Sequence, residues 1–261
     1  MRIWHMSGAG NDFMVMDARG ANYDFEKLAL DLCKRTHADG FMAVDYAEDA
    51  DFRLHFYNSD GSRGEMCGNG SRCICRFAYD NGIAGQHMTI RTDAGLVYGQ
   101  RLSETQYRVK LNNPGILDLH RKGDVAYVEL GKPGVPHAVA EYRGDLWADA
   151  DALKAQMRLL RHDPAFPKGA NVNFYSWTGE NAVRILTFER GVEDFTLACG
   201  TGSGSVGCVL WTEQKLSSDS LQVENRGGTL AVTVKGENSE VSELWLEGPA
   251  EVLKIYEIEI A

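Results

Sequence analysis

Apolar and polar residues alternate along much of the chain, and this alternation predicts many strands with one buried face. A period of two places every second side chain on the same face of a strand. The clearest examples are the segments 52–57, 107–111, 182–188 and 230–234. Because this pattern is typical of strands with one face on the core, we expect them to be largely antiparallel.

Four segments between the strands are predicted to be helices, at about 25–36, 69–81, 149–161 and 201–214. The second of them runs into Asn81-Gly82, a pair that favours a left-handed end to a helix. Strands and helices are mixed along the whole length, which predicts the α/β (α+β) class.

The order of these elements repeats, and the repeat predicts an internal duplication. In each half, strands and a helix precede a short Cys-Gly-x-Gly loop, which is followed by a second helix and further strands. Cys67 and Cys199 of these loops lie 132 positions apart, about half of the chain. Asn58 lies nine residues before Cys67, and Arg190 lies nine before Cys199, each just after a strand that contains aromatic residues. One duplication explains all of these offsets.

The duplication predicts two similar domains. We expect one of residues 1–113, completed by a C-terminal strand at about 251–261, and one of residues 114–250. The Gly-Asn-Asp-Phe at 10–13 has a loose counterpart in Asn-Val-Asn-Phe at 171–174. The two cysteine loops are expected to face each other across a cleft, and clefts between domains are favoured ligand sites.

The Cys-Gly-x-Gly loops carry the chemistry. Each cysteine is expected at or just before the first turn of a helix, where unpaired N–H groups and the positive end of the helix dipole meet. Glycines allow close approach, and such a nest of N–H groups binds a carboxylate or a phosphate. The same field lowers the pKa of a cysteine from its reference of about 8.5. One loop therefore supplies an anion site and a base.

Two such loops supply what the inversion of a stereocentre needs: a thiolate that removes an α-proton from one face and a thiol that returns a proton to the other. The carbanion beside a carboxylate needs fixed donors, and loss of one such donor costs on the order of 3–4 kcal/mol of transition-state stabilisation. The sequence therefore predicts a cofactor-independent racemase or epimerase that uses Cys67 and Cys199.

Other interpretations of the loops are less well supported. A single buried cysteine is usually structural, but packing does not explain two at duplicated positions. Neither loop has the spacing of a phosphate-binding P-loop or a dinucleotide fingerprint. Cys67, Cys73 and Cys75 lack zinc-like C-x-x-C spacing, so we expect no metal. A redox pair would more readily inactivate such a protein than serve it.

Composition narrows the class of protein further. The net charge of -10 and the pI near 5.2 argue against nucleic acid or an anionic membrane as partner. No stretch approaches 18 consecutive apolar residues, and residues 1–6 lack the pattern of a signal peptide. Six cysteines are too few for a disulfide scaffold of this size. We expect a cytoplasmic protein with reduced thiols.

With these motifs in this order, the sequence resembles the diaminopimelate epimerase family over nearly its whole length. The motifs are Gly8-Ala9-Gly10-Asn11-Asp12-Phe13, Ala38-Asp39-Gly40, Phe56-Tyr57-Asn58-Ser59-Asp60-Gly61-Ser62, Met66-Cys67-Gly68-Asn69-Gly70-Ser71-Arg72-Cys73, Pro136-His137, Asn171-Val172-Asn173, Glu189-Arg190-Gly191 and Ala198-Cys199-Gly200-Thr201-Gly202. The resemblance implies two pseudo-symmetric domains, each a mixed sheet curled around a central helix, with the active site between them. It also implies a homodimer, neither pyridoxal phosphate nor metal, and conversion of LL- to meso-diaminopimelate, a precursor of lysine and peptidoglycan.

The resemblance also implies roles for residues at matching positions. Cys67 and Cys199 would be the acid/base pair, and Glu189 would hold the α-ammonium and, with His137, set the protonation of the cysteines. The N–H groups that would hold the reacting α-carboxylate are those of Gly68, Asn69, Gly200 and Thr201. The residues that would grip the substrate are Asn11, Asn58, Asn171 and Arg190, the last three at its distal end.

Simpler interpretations of these residues remain open. Glu189 and Arg190 could form an ordinary ion pair at a strand end, the three asparagines could be turn formers, and His137 could be structural.

One departure from the family pattern bears on the substrate. Many members have an asparagine before Pro-His that contributes to binding of the distal carboxylate, and here that residue is Val135. A racemase of another amino acid, such as histidine, therefore stays an alternative. Further alternatives are an isomerase that resembles the phenazine-biosynthesis relatives and uses a carboxylate base, and an amino-acid-binding protein of the same fold.

Overall fold

The computed structural model describes residues 1–64 and 67–258, which form four α-helices and seventeen strands. This mixture confirms the predicted α/β (α+β) class. The chain divides into two units, Met1–Val109 with the segment from Glu247 onward, and Lys110–Leu246. No helix formed by the described residues is long and apolar enough to span a membrane.

The first unit contains α1, α2 and the strands at both ends of the chain. Its elements are β1 (Arg2–Gly8), β2 (Asn11–Asp17), α1 (Phe25–Thr36), β3 (Gly40–Asp45), β4 (Phe52–Asn58), β5 (Arg63–Gly64), α2 (Gly68–Asp80), β6 (His87–Thr92), β7 (Gly95–Arg101), β8 (Gln106–Leu111) and β17 (Glu251–Glu257). Strand β8 runs past the boundary of the unit at Val109.

The second unit contains α3 and α4 and is continuous in sequence. Its elements are β9 (Pro114–Lys122), β10 (Val125–Gly131), β11 (Gly134–Glu141), α3 (Ala150–Arg161), β12 (Asn171–Gly179), β13 (Ala182–Phe188), α4 (Gly200–Thr212), β14 (Ser220–Asn225), β15 (Gly228–Glu237) and β16 (Glu240–Pro249). Strand β16 passes the boundary at Leu246.

The helices lie within two residues of their predicted bounds, and the four strands predicted from alternation are parts of β4, β8, β13 and β15. At the end of α2 it is Gly82, with φ +66°, that takes the left-handed conformation, while Asn81 does not. The Asn81 side chain instead donates to the Phe77 carbonyl at 2.8 Å and so ties down the last turn.

The two units share one order of strand pairing. In the first, β1/β2 is antiparallel, β2/β3 parallel across α1, β3/β4 antiparallel, β4/β6 parallel across α2, and β6/β7 antiparallel. In the second, the corresponding pairs β10/β11, β11/β12, β12/β13, β13/β14 and β14/β15 follow the same order, with α3 and α4 as crossovers. The shared topology confirms the predicted pair of similar domains, each with a mixed sheet.

One predicted correspondence between the halves is wrong. Residues 10–13 belong to the entry into β2, the strand before α1, whereas 171–174 belong to β12, the strand after α3. The topological counterpart of β2 is β11, and that of β12 is β3. The similar residue types at 10–13 and 171–174 therefore do not occupy equivalent positions in the two units.

Helices α2 and α4 are the centres of their units. Ten residues of each are buried, and a helix buried on all sides requires a surface around it. Helix α2 contacts β1, β2, β3 and β7, while α4 contacts β9 to β12 and β15. In each unit the strands therefore curl around one helix, and the start of that helix is held on several sides.

Candidate functional site

Cys67 and Cys199 are the N-cap residues of the two central helices, as the glycine-rich loops predict. Both have extended backbones, with φ/ψ of −128°/122° at Cys67 and −121°/109° at Cys199. Their carbonyls accept the first helical bonds, from Ser71 at 2.7 Å and from Ser203 at 2.9 Å. Both cysteines therefore stand at the N-terminal end of a helix, where the first N–H groups have no partner within that helix. Glu65 and Met66, which precede the first cysteine, lie outside the described residues.

A buried network fixes the turn that begins at Cys67. The side chain of Asn69, 2% exposed, donates to the side-chain oxygen Oδ1 of Asn11 at 2.7 Å. Its own oxygen accepts from the Arg72 guanidinium at 3.0 Å, and Arg72 also donates to the Gly68 carbonyl at 3.2 Å. This network joins β2 to the first turn of α2.

Asp39 extends this network from Asn11 towards Asn58. Its carboxylate accepts from the Asn11 side chain at 3.2 Å and from the Asp12 N–H at 2.9 Å. Its carbonyl accepts from the N–H of Ser59, the residue after Asn58. The Asn58 side chain is exposed and donates to the Ser62 hydroxyl at 3.0 Å. The predicted residues of the first unit therefore lie along one chain of contacts.

In the second unit the sulfur of Cys199 takes part in its own helix cap. The Gly202 N–H donates to Cys199 Sγ at 3.3 Å, and the Thr201 hydroxyl lies 3.6 Å from the same sulfur. The Ser203 hydroxyl donates to the Cys199 carbonyl at 2.9 Å. A backbone donor at the sulfur stabilises the thiolate over the thiol.

Asn173 connects His137 with the strands beside α4. Its amide nitrogen lies 3.1 Å from His137 Nδ1 and 3.2 Å from the carbonyls of Ala138 and Asn171. Its oxygen accepts from the Thr187 hydroxyl at 3.0 Å. Because an amide nitrogen can only donate, His137 Nδ1 is the acceptor in this contact and the ring proton is on Nε2.

His137 is fully buried, and burial together with the positive charge of Arg190 lowers its pKa from 6.5 to about 3. The imidazole is therefore neutral near neutral pH. Its Nε2 atom is buried and has no hydrogen-bond partner in the part of the chain that the structure describes. His137 thus offers one N–H donor that the fold itself leaves unused.

Asn171, Glu189 and Arg190 meet where β12 begins and β13 ends. The Arg190 N–H donates to the Asn171 side-chain oxygen at 2.8 Å, and the Arg190 guanidinium donates to the Lys168 carbonyl at 3.1 Å. Burial raises the pKa of Glu189 from its usual 4.5. Glu189 and Arg190 are not an ion pair with each other among the described residues, so that simpler interpretation is wrong.

Of the three asparagines, Asn58 does stand at a turn, because its carbonyl accepts from the Gly61 N–H at 3.0 Å, whereas Asn11 and Asn171 bond to other segments. Asn11 begins β2, Asn58 ends β4 and Asn171 begins β12. Each side chain bonds a neighbouring group at a strand end, with Asn171 donating to the Pro136 carbonyl at 3.1 Å. They fix the edges of the strands that lead to the two cysteine loops.

The remaining cysteines are unsuited to act as bases. Burial raises the pKa of Cys33 to about 11 and that of Cys73, Cys75 and Cys208 to about 12. All four stay thiols at neutral pH, which leaves the two N-cap cysteines as the candidates for proton transfer.

Three residues that organise the site were not assigned roles from the sequence: Arg72, Asn173 and Asp39. All three stand inside motifs of the family pattern. Their position there was an available signal, but their hydrogen bonds depend on strand pairings that residue spacing does not disclose.

The family model described as diaminopimelate epimerase matches residues 3–114 and 132–253 of the chain. The diaminopimelate epimerase of Chlorobaculum tepidum is 36% identical over 252 residues, which cover 94% of this chain and 96% of the relative. That of Aquifex aeolicus is 32% identical over 276 residues, which cover 98% and 96%.

Solved structures support the fold. A phenazine biosynthesis protein of the PhzF family from Bacillus anthracis superposes with a TM-score of 0.73 at 17% identity, covering 100% of this chain and 99% of the other. A hydroxyproline epimerase from Agrobacterium vitis, with bound trans-4-hydroxy-L-proline, gives a TM-score of 0.66 at 16% identity, covering 99% and 90%. At these identities the likeness concerns the fold alone.

The position of Asn173 predicts that alanine substitutions at Gly70 and Gly202, the second glycines of the two Cys-Gly-x-Gly loops, differ in their effect on stability. A Cβ at Gly202 would collide with Asn173 Oδ1, whereas one at Gly70 would lie 3.2 Å from the flexible Met42 sulfur. Gly202→Ala should lower the free energy of unfolding by about 1–3 kcal/mol. Gly70→Ala should cost less, because the gain in helix propensity, about 1 kcal/mol, offsets its milder contact. Urea denaturation measures both, and equal losses would contradict the role given to Asn173.

Burial of neutral His137 predicts an acid-sensitive fold. Below pH 6.5 the unfolded chain binds a proton at this histidine, while the folded protein does not until about pH 3. The free energy of unfolding should therefore fall as the pH is lowered from 7 towards 5. His137→Gln should reduce this fall. Denaturation series at several pH values measure the slopes, and an unchanged slope in His137→Gln would contradict the burial argument.

Proposed function

Because this chain belongs to the diaminopimelate epimerase family, we propose that it converts LL-diaminopimelate to meso-diaminopimelate by inverting one α-carbon. The observation that carries the proposal is the pair of N-cap cysteines, one at the start of the central helix of each unit. Two units of the same topology present the same reactive group at the N-cap of their central helix, which suits a reaction with one proton transfer on each face of a carbon.

The proposed reaction moves one proton at each cysteine. The Cys67 thiolate takes the α-proton and becomes a thiol, and the electron pair of the broken C–H bond remains on the substrate. The Cys199 thiol then gives its proton to the opposite face and becomes a thiolate. In the reverse direction the two roles are exchanged. The proposal requires both sulfur atoms to act on opposite faces of one α-carbon.

The helix starts are suited to the negative charge that develops on the α-carboxylate. N–H groups in the first turn of a helix have no partner within that helix. We assign the N–H groups of Gly68, Asn69, Gly200 and Thr201 to the carboxylate. Because Asn69 is held by Asn11 and Arg72, its N–H direction is fixed before the substrate arrives. Fixed donors stabilise a transition state without reorganising during the reaction.

Glu189 and His137 would set the charges around the reacting carbon. The substrate ammonium would offset the burial that raises the pKa of Glu189, and the carboxylate would then bind it in the ionised form. His137 would contribute as a neutral donor through Nε2, since its low pKa prevents it from carrying a charge near neutral pH.

Asn11, Asn58, Asn171 and Arg190 are proposed to grip the substrate, the last three at its distal end. A guanidinium is the side chain best matched to a carboxylate, because it can donate two parallel hydrogen bonds. The Arg190 backbone is fixed by Asn171 while its side chain is exposed, so the cation is available to a ligand.

A racemase of another amino acid is the second candidate, and Val135 is the observation that favours it. The residue lies on β11 opposite Leu130, is 40% exposed and cannot hydrogen-bond a distal carboxylate. A less polar distal pocket would suit a substrate such as histidine.

Further features belong to the proposal because they rest on the family resemblance. Both acid/base groups are side chains of the protein, so the reaction as proposed needs neither pyridoxal phosphate nor a metal. We also propose that the protein acts as a cytoplasmic homodimer on a small amino acid.

The test is proton NMR of the purified protein in D₂O under reducing conditions, with LL-diaminopimelate and separately with a panel of L-amino acids. Loss of the α-proton signal with formation of the meso isomer is expected. Exchange only with another amino acid would favour the second candidate. Absence of exchange with every substrate would favour a binding protein or an isomerase with a carboxylate base.

Replacing either proposed acid/base residue should abolish most of this exchange. Cys67→Ser and Cys199→Ser should each lower turnover at least about 100-fold, because a serine hydroxyl is a far weaker base than a thiolate. Cys33→Ala, which removes a buried thiol of α1, is the matched control and should retain turnover. Circular dichroism checks that each variant folds, and full turnover in either serine variant would rule out the two-base mechanism.

Arg190→Ala should discriminate between substrates. We expect KM for LL-diaminopimelate to rise at least about tenfold, as for loss of a charged hydrogen bond of roughly 1.5–3 kcal/mol. An amino acid that is turned over and lacks a distal carboxylate should be affected less. Steady-state kinetics on both substrates measures the difference, and equal effects would remove Arg190 from distal recognition.

A further inference from the structure

Arg72 is a cation with no exposed surface at the start of a buried helix. Its side chain is 0% exposed and donates to three acceptors. These are the carbonyls of Gly68 and Pro249, at 3.2 and 3.3 Å, and the side-chain oxygen of Asn69 at 3.0 Å. All three acceptors are uncharged, so the guanidinium is solvated by dipoles but not neutralised.

An unneutralised buried charge is costly. Removing an ion from water carries an effective penalty of several kcal/mol, and dipoles repay only part of it. No carboxylate among the described residues lies within ion-pair distance of Arg72. Burial accordingly lowers the pKa of the guanidinium, against the opposing influence of the thiols of Cys73, Cys67 and Cys75. Because an arginine remains protonated in such a site, a nearby anion would stabilise its buried charge.

The three cysteines around Arg72 differ in their ability to become that anion. Burial raises the pKa of Cys73 and of Cys75 to about 12, so both remain neutral thiols. Cys67 is partly exposed and stands at the N-cap of the same helix. Cys67 is therefore the cysteine at which the charge of Arg72 and the field of the helix start act together.

The duplicated unit shows that the fold does not require this arginine. Arg72 is five residues after Cys67, and the residue five after Cys199 is Gly204. A Cβ at Gly204 would meet Leu111, Leu130 and Leu244, so apolar side chains occupy the space beside the second helix. The same topology is thus built with a buried cation in one unit and with apolar packing in the other.

We propose that Arg72 is a positioning residue that supplies Cys67 with a fixed positive charge, which holds that cysteine as the thiolate and orients the Asn69 N–H of the same turn. The proposal rests on the epimerase function proposed above. It deepens that function by giving the two cysteine turns different sources of stabilisation: a buried guanidinium at Cys67, and the Gly202 N–H bonded to sulfur at Cys199.

Among the described residues, β1, β2 and α2 also carry charged groups around this turn. His5 on β1 lies 3.3 Å from Asp12 on β2, and Asp12 also acts on Cys73. Arg76, one turn further along α2, donates to the Ala250 carbonyl and pairs with Asp80 at 3.2 Å. Because these groups are the same in every variant of Arg72, a shift between variants isolates the charge of Arg72.

The test follows the pH dependence of Cys67 alkylation by iodoacetamide in the protein without substrate. Mass spectrometry identifies the cysteine that reacts, and the midpoint of each rate profile reports its thiolate fraction. In the unmodified protein the Cys67 midpoint should lie below the reference of about 8.5. Arg72→Gln should raise it by about one pH unit, or roughly tenfold in rate at neutral pH, and leave the Cys199 midpoint unchanged.

Two further variants separate charge from shape. Arg72→Lys keeps the charge and should keep the Cys67 midpoint close to that of the unmodified protein. Arg76→Gln is the matched control, because it removes an arginine of the same helix that already has a carboxylate partner, and it should not move the midpoint. A variant that fails to fold is recognised by circular dichroism.

A midpoint of Cys67 at or above about 8.5 in the unmodified protein would overturn the proposal without any variant. So would equal midpoints in Arg72→Gln and the unmodified protein. The measurement uses no substrate. A shifted Cys67 midpoint in Arg72→Gln without α-proton exchange in the unmodified protein would therefore contradict the epimerase function and leave the charge role of Arg72 supported. An unshifted midpoint with normal exchange would do the reverse.

Discussion

Buried polar groups in the first turn of a helix must find hydrogen-bond partners, and in both units that requirement shapes the surroundings of a cysteine. At α2 the carbonyl oxygens, the Asn69 amide and the Arg72 guanidinium form a closed set around the first turn. At α4 the cap includes Cys199 sulfur itself, and Asn173 lies against Gly202. Because Asn11 belongs to β2 and Asn173 to β12, strands of the surrounding sheet contact the first turn in both units.

The two copies have kept the topology and changed the means of supporting the turn. In the first unit the support is polar and carries a charge, with Asp39 extending it towards Asn58. In the second unit the support is the uncharged Asn173 side chain, which contacts the buried and neutral His137. The proposed reaction does not require two identical half-sites, because each cysteine would need only a nearby donor or charge.

Residue patterns predicted the helices, the main strands, the two similar domains and the family, and all of these are confirmed. Periodicity and the glycine-rich loops are local signals, so the helices that they predict are present in the structure, with bounds shifted by two residues at most. The pairing of 10–13 with 171–174 failed because similar residue types carry no information about which side of a crossover helix a strand lies on. The tautomer of His137 and the setting of Arg72 depend on contacts between β11, β12 and β13 or with the Pro249 carbonyl, which no spacing reveals.

Strand β17 pairs antiparallel with β1, from Arg2 opposite Glu257 to Ser7 opposite Glu251. Strand β1 therefore cannot pair with β17 until the ribosome has made the second unit. Domains usually fold in the order in which they are synthesised. Here all strands of the continuous second unit are synthesised before β17, so the unit that carries Cys67 completes its sheet last. During translation the edge of β1 that pairs with β17 stays open until the second unit has been made, and an open strand edge can pair with another chain.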